Sequence, residues 1–345
     1  MSERAEPRSN RSHGMQPAPP RTLFIEVTTE CNLRCRQCHM WHSQEPPTAL
    51  STEEKTALLH PFATWSPGAT VVLTGGEPLH KKDEFFSLTR TCRRMSLPVA
   101  ANTNATLLDE DAVDRLLLEG PQYLLVSLDS HRPALHDWIR GAPGTHDRAV
   151  SVIRRLLARR RETFPGSDLR LLTNTIIFDG NVGELDAYVE FARELGVDGM
   201  TFQMLSRTFM RASRRDTFFE RHFPRDVTRV DAAIDRLLEL KNAGAPVATT
   251  ENDLRWMKLY ARDPDFIGEQ VCGSAERNMM VDQHGNVQLC FFMRALLDGR
   301  VIGNVRQSGL RELWESDLAI QARDVMAGCR RNCGMLNCHR KQEAP

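Results

Sequence analysis

Nine cysteines stand in the 345-residue chain, and eight of them fall into two groups. Cys31, Cys35 and Cys38 share one short loop, while Cys272, Cys290, Cys329, Cys333 and Cys338 lie in the last quarter; Cys92 stands alone. Thiols clustered in this way bind metal in a reducing compartment. The odd total, in a chain whose N-terminus has no apolar export signal, argues against a disulfide framework. Cys31-x3-Cys35-x2-Cys38 offers three donors. A four-iron cluster held by three thiolates keeps one iron open, and that is where chemistry can take place. A structural zinc is the alternative; it needs a fourth donor, and His39 and His42 are close in sequence.

Those thiols need rigid elements to carry them. Residues 22–28 (TLFIEVT) alternate bulky and polar side chains, the period of a strand, and run straight into the first cysteine loop. Ser51 with Glu54 three residues later is a capping box that starts a helix. A buried strand at 69–74 (ATVVLT) follows, broken by Gly75-Gly76-Glu77-Pro78. The rhythm continues with helices near 81–95, 109–119, 145–161, 182–195 and 228–243, and strands at 98–103, 122–128, 169–177 and 199–205. Six strand–helix units predict an α/β fold with a parallel sheet: a partial, open (β/α)6 TIM-like barrel over 21–245. Its functional groups should collect at the carboxyl ends of the strands.

Residues 1–20, polar and proline-rich, read as a disordered tail. From 246 to 345 the rhythm stops: 278–290 (NMMVDQHGNVQLC) reads as a hairpin turning near Gly285-Asn286, and 309–327 as helical. This small, cysteine-rich α+β unit has little core of its own, and metal ligation would supply the missing stability. Apolar residues make up 41% of the chain and charged residues 26%, which excludes a disordered or fibrous protein. Forty-five basic residues balance 45 acidic ones, so no excess charge points to nucleic acid or to an anionic membrane. No apolar run approaches the roughly 18 residues that span a bilayer, and a cytoplasmic protein is expected.

Further residues gather at the predicted strand ends. Gly75 and Gly76, lacking Cβ, would let a ligand approach the backbone, and the carboxylate of Glu77 follows. Ser127 and Asp129 share a face at the end of the fourth strand, and Arg140 follows in HDWIRG. With CNLRCRQC after strand one, TGGEP after strand two, VSLDS at strand four and HDWIRG beyond, the sequence resembles the radical S-adenosylmethionine (radical SAM) superfamily over about 20–230.

The resemblance implies that Cys31, Cys35 and Cys38 hold a 4Fe-4S cluster whose open iron chelates S-adenosylmethionine. It also implies that Gly75, Gly76 and Glu77 line the methionine amino group, and that Ser127 and Arg140 contact the ribose or carboxylate end. Reductive cleavage would give a 5′-deoxyadenosyl radical that takes hydrogen from an unactivated carbon. A flavodoxin- or ferredoxin-type reductant would supply the electron. Asp129 and Asn104 are further cofactor-binding candidates by position. The sequence departs from the family at two points: Gln37 stands where similar enzymes carry an aromatic residue that packs on the adenine, and Ser130 where they carry glycine. His39 and Trp41 are the nearby rings that could replace that aromatic.

Around the hairpin, Cys272-x12-Gly285-x4-Cys290, followed by Cys329-x3-Cys333-x4-Cys338, resembles the SPASM/twitch extension of such enzymes, which binds auxiliary 4Fe-4S clusters. Five cysteines cannot fill two complete sites, so one auxiliary cluster is expected, on Cys272, Cys290 and two of the other three. A zinc knuckle is the alternative. A fully ligated cluster would accept or relay an electron, making the outcome an oxidation.

On the predicted inner face, Glu26 is a candidate base and Gln203 a candidate substrate contact; Asn102 and Asn174 could bind hydroxyls. Arg207, Arg211, Arg214 and Arg215 follow strand six and could meet an anionic substrate, or form a solvated helix face. Cys92, within a helical pattern, reads as a core residue. The expected function is a radical SAM oxidoreductase acting on a small polar metabolite of the sugar, aminocyclitol or nucleoside type. That ranking rests on family analogy: peptide maturases often carry a winged-helix peptide-binding domain and a seven-cysteine tail, and strand one begins only about 20 residues in. The alternatives are a maturase of peptide or protein side chains and a non-catalytic metal-binding or electron-transfer protein.

Overall fold

A computed structural model describes residues 17–42, 48–207, 217–265 and 273–329. Strands β1 (Thr22–Thr28), β2 (Thr70–Gly75), β3 (Val99–Thr103), β4 (Tyr123–Ser127), β5 (Arg170–Ile177) and β6 (Gly199–Met204) pair in parallel, each with its sequence neighbour. Period-two alternation divides their side chains. Leu23, Ile25, Val27, Val71, Leu73, Val99, Ala101, Leu124 and Val126 are buried toward the helices. Phe24, Glu26, Asn102, Ser127, Asn174 and Gln203 take the other, less buried face of the unclosed barrel.

The connecting helices are α1 (Thr52–Trp65), α2 (Lys82–Arg94), α3 (Glu110–Glu119), α4 (Pro133–Arg140), α5 (Thr145–Glu162), α6 (Leu185–Leu195), α7 (Thr217–His222), α8 (Val227–Asn242) and α9 (Glu251–Arg262). The expected capping box is present: Glu54 N donates to Ser51 Oγ at 3.2 Å, and Ser51 N to Glu54 Oε2 at 2.7 Å. Three elements differ from the sequence reading. Pro133–Arg140 is a helix, with proline at its first turn and Gly141 at φ 75° ending it. Regular structure does not stop near 245, because Thr250 caps the further helix Glu251–Arg262. Finally, β7 (Asn278–Val281) pairs in parallel with β1, and β8 (Asn286–Gln288) and β9 (Gly303–Asn304) follow antiparallel.

The hairpin therefore extends one nine-stranded sheet, in the order β6-β5-β4-β3-β2-β1-β7-β8-β9. The physical reason is the second edge of β1. All four residues of β7 are buried, so pairing there satisfies an exposed ladder and covers apolar surface together. The start of the described chain is also tied down: Trp314 Nε1 donates to Ala18 O, and Ser66 Oγ to Pro20 O.

Candidate active site

β1 bulges between Glu26 and Thr28 and then releases the cysteine loop. The loop is pinned from both sides. Arg36 donates from its backbone to Ile139 O and from Nε to Trp138 O, at 2.9 and 2.8 Å, while Asn32 Nδ2 reaches Thr106 Oγ1 at 2.7 Å. Donors also point at the sulfurs. Leu33 N approaches Cys31 Sγ at 3.5 Å and Met40 N approaches Cys38 Sγ at 3.4 Å, while the Arg140 side chain hydrogen-bonds Cys35. Burial pushes the Cys31 thiol up to about 11 and raises those of Cys35 and Cys38. Thiols so placed ionise when a metal takes the charge.

Among the described residues, no three His, Cys, Asp or Glu side chains converge closely enough to hold a single metal ion.

Around the loop, the carboxyl ends of the strands line a cavity of about 280 Å³. Cys31, Cys35, Cys38, Gly76, Glu77, Asn104, Ser127, Arg140 and Gln203 all border it. Glu77 is 1% exposed; its Oε1 accepts from Thr103 Oγ1 (2.7 Å) and Leu79 N (3.2 Å), and its Oε2 from Asn104 N (2.7 Å). Burial still raises its carboxyl above the ordinary range, which marks a position where an ammonium group would be welcome.

Gly75 and Gly76 also meet a requirement of the fold itself. A Cβ on Gly75 (φ 131°) would lie 2.1 Å from Thr28 O, and one on Gly76 2.2 Å from Glu30 O. What the missing Cβ atoms admit is the backbone at the end of β1 and just beyond it, where Gly76 N donates to Thr28 O at 2.7 Å and Glu77 N to Glu30 O at 2.8 Å. Asn104 borders the cavity, but its side chain is engaged by Asn32 and Thr106.

Asp129 is fully buried and does not border the cavity. Its Oδ2 accepts from Arg140 Nε at 2.7 Å and its Oδ1 from Ile176 N at 3.0 Å, so it orients Arg140 against Cys35. His136 Nδ1 accepts from Asp129 N, a bond that suits a neutral ring; burial keeps the pKa of His136 well below its usual value.

Glu26 also lies off the cavity lining, beside β7, where it accepts from Gln283 N at 3.0 Å. Burial, with Asp282 nearby, pushes its carboxyl up to about 7. Asn174 Oδ1 accepts from Thr201 Oγ1 across the sheet. Arg207 borders the cavity but is paired with Asp265 at 3.0 Å; Arg211, Arg214 and Arg215 lie outside the described residues. Cys92 is fully buried in α2, and burial pushes its thiol up to about 12, so it is a core residue.

Sequence reasoning missed Lys55. It is fully buried behind β1, where Nζ donates to Val27 O (2.6 Å) and Glu84 Oε1 (2.5 Å). The ion pair thus fixes the backbone four residues before Cys31. The available signal was a lysine on the same helix face as Leu59 and Phe62.

At the other end of the sheet, Cys290 follows β8 and Cys329 follows the helix Asp317–Ala327; both are partly buried. Cys272, Cys333 and Cys338 lie outside the described residues.

A parallel, unclosed barrel with three thiols bordering a cavity of about 280 Å³ at its strand ends has the build that the resemblance to radical SAM enzymes implies. The family comparison agrees: residues 25–192 match the radical SAM superfamily and residues 272–339 the SPASM iron–sulfur cluster-binding domain. The chain thus carries a radical SAM domain followed by a C-terminal SPASM domain.

It is 26% identical over 308 residues to the AdoMet-dependent heme synthase of Methanosarcina barkeri, covering 86% of this chain and 82% of that one. To the mycofactocin maturase MftC of Mycobacterium tuberculosis it is 26% identical, over 91% of this chain and 76% of the other. The structure of Streptococcus suis SuiB bound to S-adenosylmethionine shares the fold, with a TM-score of 0.67 and 15% identity. That match covers 87% of this chain and 66% of SuiB, slightly less than two thirds of its length. These likenesses support the radical chemistry but not the sugar, aminocyclitol or nucleoside substrate expected from sequence. Among the described residues, no helix is long and apolar enough to cross a membrane.

Proposed function

We propose that this enzyme is a maturase that modifies a side chain of a peptide or protein. The observation that carries this reading is the lining and size of the cavity. At about 280 Å³ it is at the lower end of what a drug-sized ligand fills (roughly 300–1,000 Å³), so the cofactor occupies it and the reacting carbon is presented from outside. A side chain on an extended peptide meets that need. The lining that remains is uncharged: Asn102, Ser127, Gln203 and Ser206 stand beside the apolar Met40, Ile176, Met204 and Leu205, a mixture suited to the amides and side chains of a peptide. Its two arginines are committed, Arg140 to Asp129 and Arg207 to Asp265. The likeness to a mycofactocin maturase over 91% of the chain supports the same reading.

When bound, the cluster and S-adenosylmethionine supply a radical that takes hydrogen from an unactivated carbon. The chain's own groups position and shield. Cys31, Cys35 and Cys38 hold the cluster, Arg140 offsets charge at Cys35, and Glu77 takes the methionine ammonium. Cys272, Cys290 and two of Cys329, Cys333 and Cys338 would hold one auxiliary cluster, which would supply one-electron acceptor or relay chemistry.

A second reading is a tetrapyrrole substrate. It draws on the heme synthase likeness and on Arg211, Arg214 and Arg215, which follow Arg207 in sequence. The deciding experiment is anaerobic reconstitution with reductant, followed by 5′-deoxyadenosine and product analysis. The candidate substrates are a short peptide encoded beside the gene and iron coproporphyrin. The maturase reading requires a mass change in the peptide coupled to deoxyadenosine. Turnover with the porphyrin and none with the peptide would replace it by the second reading.

A further inference from the structure

Gln37 lies between Cys35 and Cys38 and borders the cofactor cavity, yet its carbonyl oxygen Oε1 is buried with no hydrogen-bond partner. Two residues on, His39 borders the same cavity and leaves Nδ1 buried and unpartnered. Trp41 is not part of this wall: its Nε1 donates to Cys35 O at 3.2 Å and its ring stacks on His42. The ring this loop presents to the cavity is that of His39; at position 37 itself it offers a polar atom without a partner in place of an aromatic face. A buried acceptor that the chain leaves unsatisfied is costly, and a ligand filling this cavity can supply its partner.

The donors that S-adenosylmethionine brings are few: its ammonium, the ribose hydroxyls and the 6-amino group of adenine. Glu77 is the buried carboxylate suited to the ammonium. Adenine presents its amine beside a ring-nitrogen acceptor, and a carboxamide complements that pair with two hydrogen bonds at once. We propose that Gln37 reads the edge of the adenine, with Oε1 accepting from the 6-amino group and Nε2 donating to the adjacent ring nitrogen. Adenine is then held by edge recognition rather than by stacking on this position. The assignment concerns the cofactor alone and stands whichever substrate the enzyme takes.

The test is equilibrium binding to the anaerobically reconstituted protein of two unreactive ligands, S-adenosylhomocysteine and its analogue with hydrogen in place of the 6-amino group. The wild-type protein is expected to prefer the amino compound by about tenfold. Gln37→Leu should bind the two alike, and Gln37→Glu, which keeps an acceptor, should retain a preference. Iron content and the cluster's visible absorbance establish that the variants carry the same cluster; if Gln37→Leu does not, Gln37→Met takes its place. A wild-type protein indifferent to the amino group, or a Leu or Met variant that still prefers it, would overturn the proposal.

Discussion

Around Cys31, Cys35 and Cys38, backbone donors reach two sulfurs and Arg140 the third, and the loop is clamped between α4 and the turn after β3. Cys290 and Cys329 have a slighter setting. The strands beside Cys290 are four and three residues long, and Cys329 follows a helix end. The first region borrows its rigidity from a six-stranded parallel sheet with helices packed behind it. The second extends the edge of that sheet, so its ligands depend more on the metal they hold. One chain thus sets its first cysteine loop on the ends of a six-stranded sheet, and Cys290 and Cys329 on short elements at that sheet's extended edge.

Four variants sharpen or break that contrast. The largest effect is expected for Cys35→Ala, which should reduce deoxyadenosine formation to background because the barrel cluster loses one of three ligands; residual cleavage would contradict the assignment. Cys290→Ala should instead leave deoxyadenosine formation partly intact while product falls to background and iron content drops by one cluster. Equal loss of iron from both sites would show that the two regions fold as one.

Asp129→Ala leaves Arg140 buried without its carboxylate, and should lower stability by about 3–5 kcal/mol in anaerobic urea denaturation. A loss below about 1 kcal/mol would mean that Arg140 finds another partner. Glu26→Gln tests the seam between the regions, because Glu26 on β1 accepts from the residue that follows β7 by two. Its carboxyl, raised to about 7, keeps its proton in the folded chain after the unfolded chain has lost it near 4.5. Stability therefore falls as pH rises from about 4.5 to 7, and the full penalty is present above 7. Removing the charge should stabilise the protein by about 3 kcal/mol at pH 8 and by almost nothing at pH 4. The same gain at both pH values would show that the ionisation of Glu26 is not the cause.

Much of the barrel was legible because its signals are local. Alternation in 22–28 and the Ser51–Glu54 capping box each specify an element within a few residues. The helix at Pro133–Arg140 was hidden because eight residues hold too few turns to show a period. The role of the glycines was hidden as well, since the crowding at Gly75 and Gly76 comes from a strand about 45 residues earlier in the chain. The role of Lys55 was hidden because its partners, Glu84 and the Val27 carbonyl, are brought to it only by the fold.

Residue type and spacing by themselves marked Cys31, Cys35 and Cys38 as candidate metal ligands, because three thiols within eight residues need no distant partner to suggest that chemistry. Tertiary structure alone decided what surrounds them. It placed Asp129 behind Arg140, set Glu26 beside the hairpin and away from the cavity, and left the oxygen of Gln37 waiting for a donor. Those outcomes depend on burial and on contacts between segments far apart in the chain, and neither quantity exists until the sheet has formed.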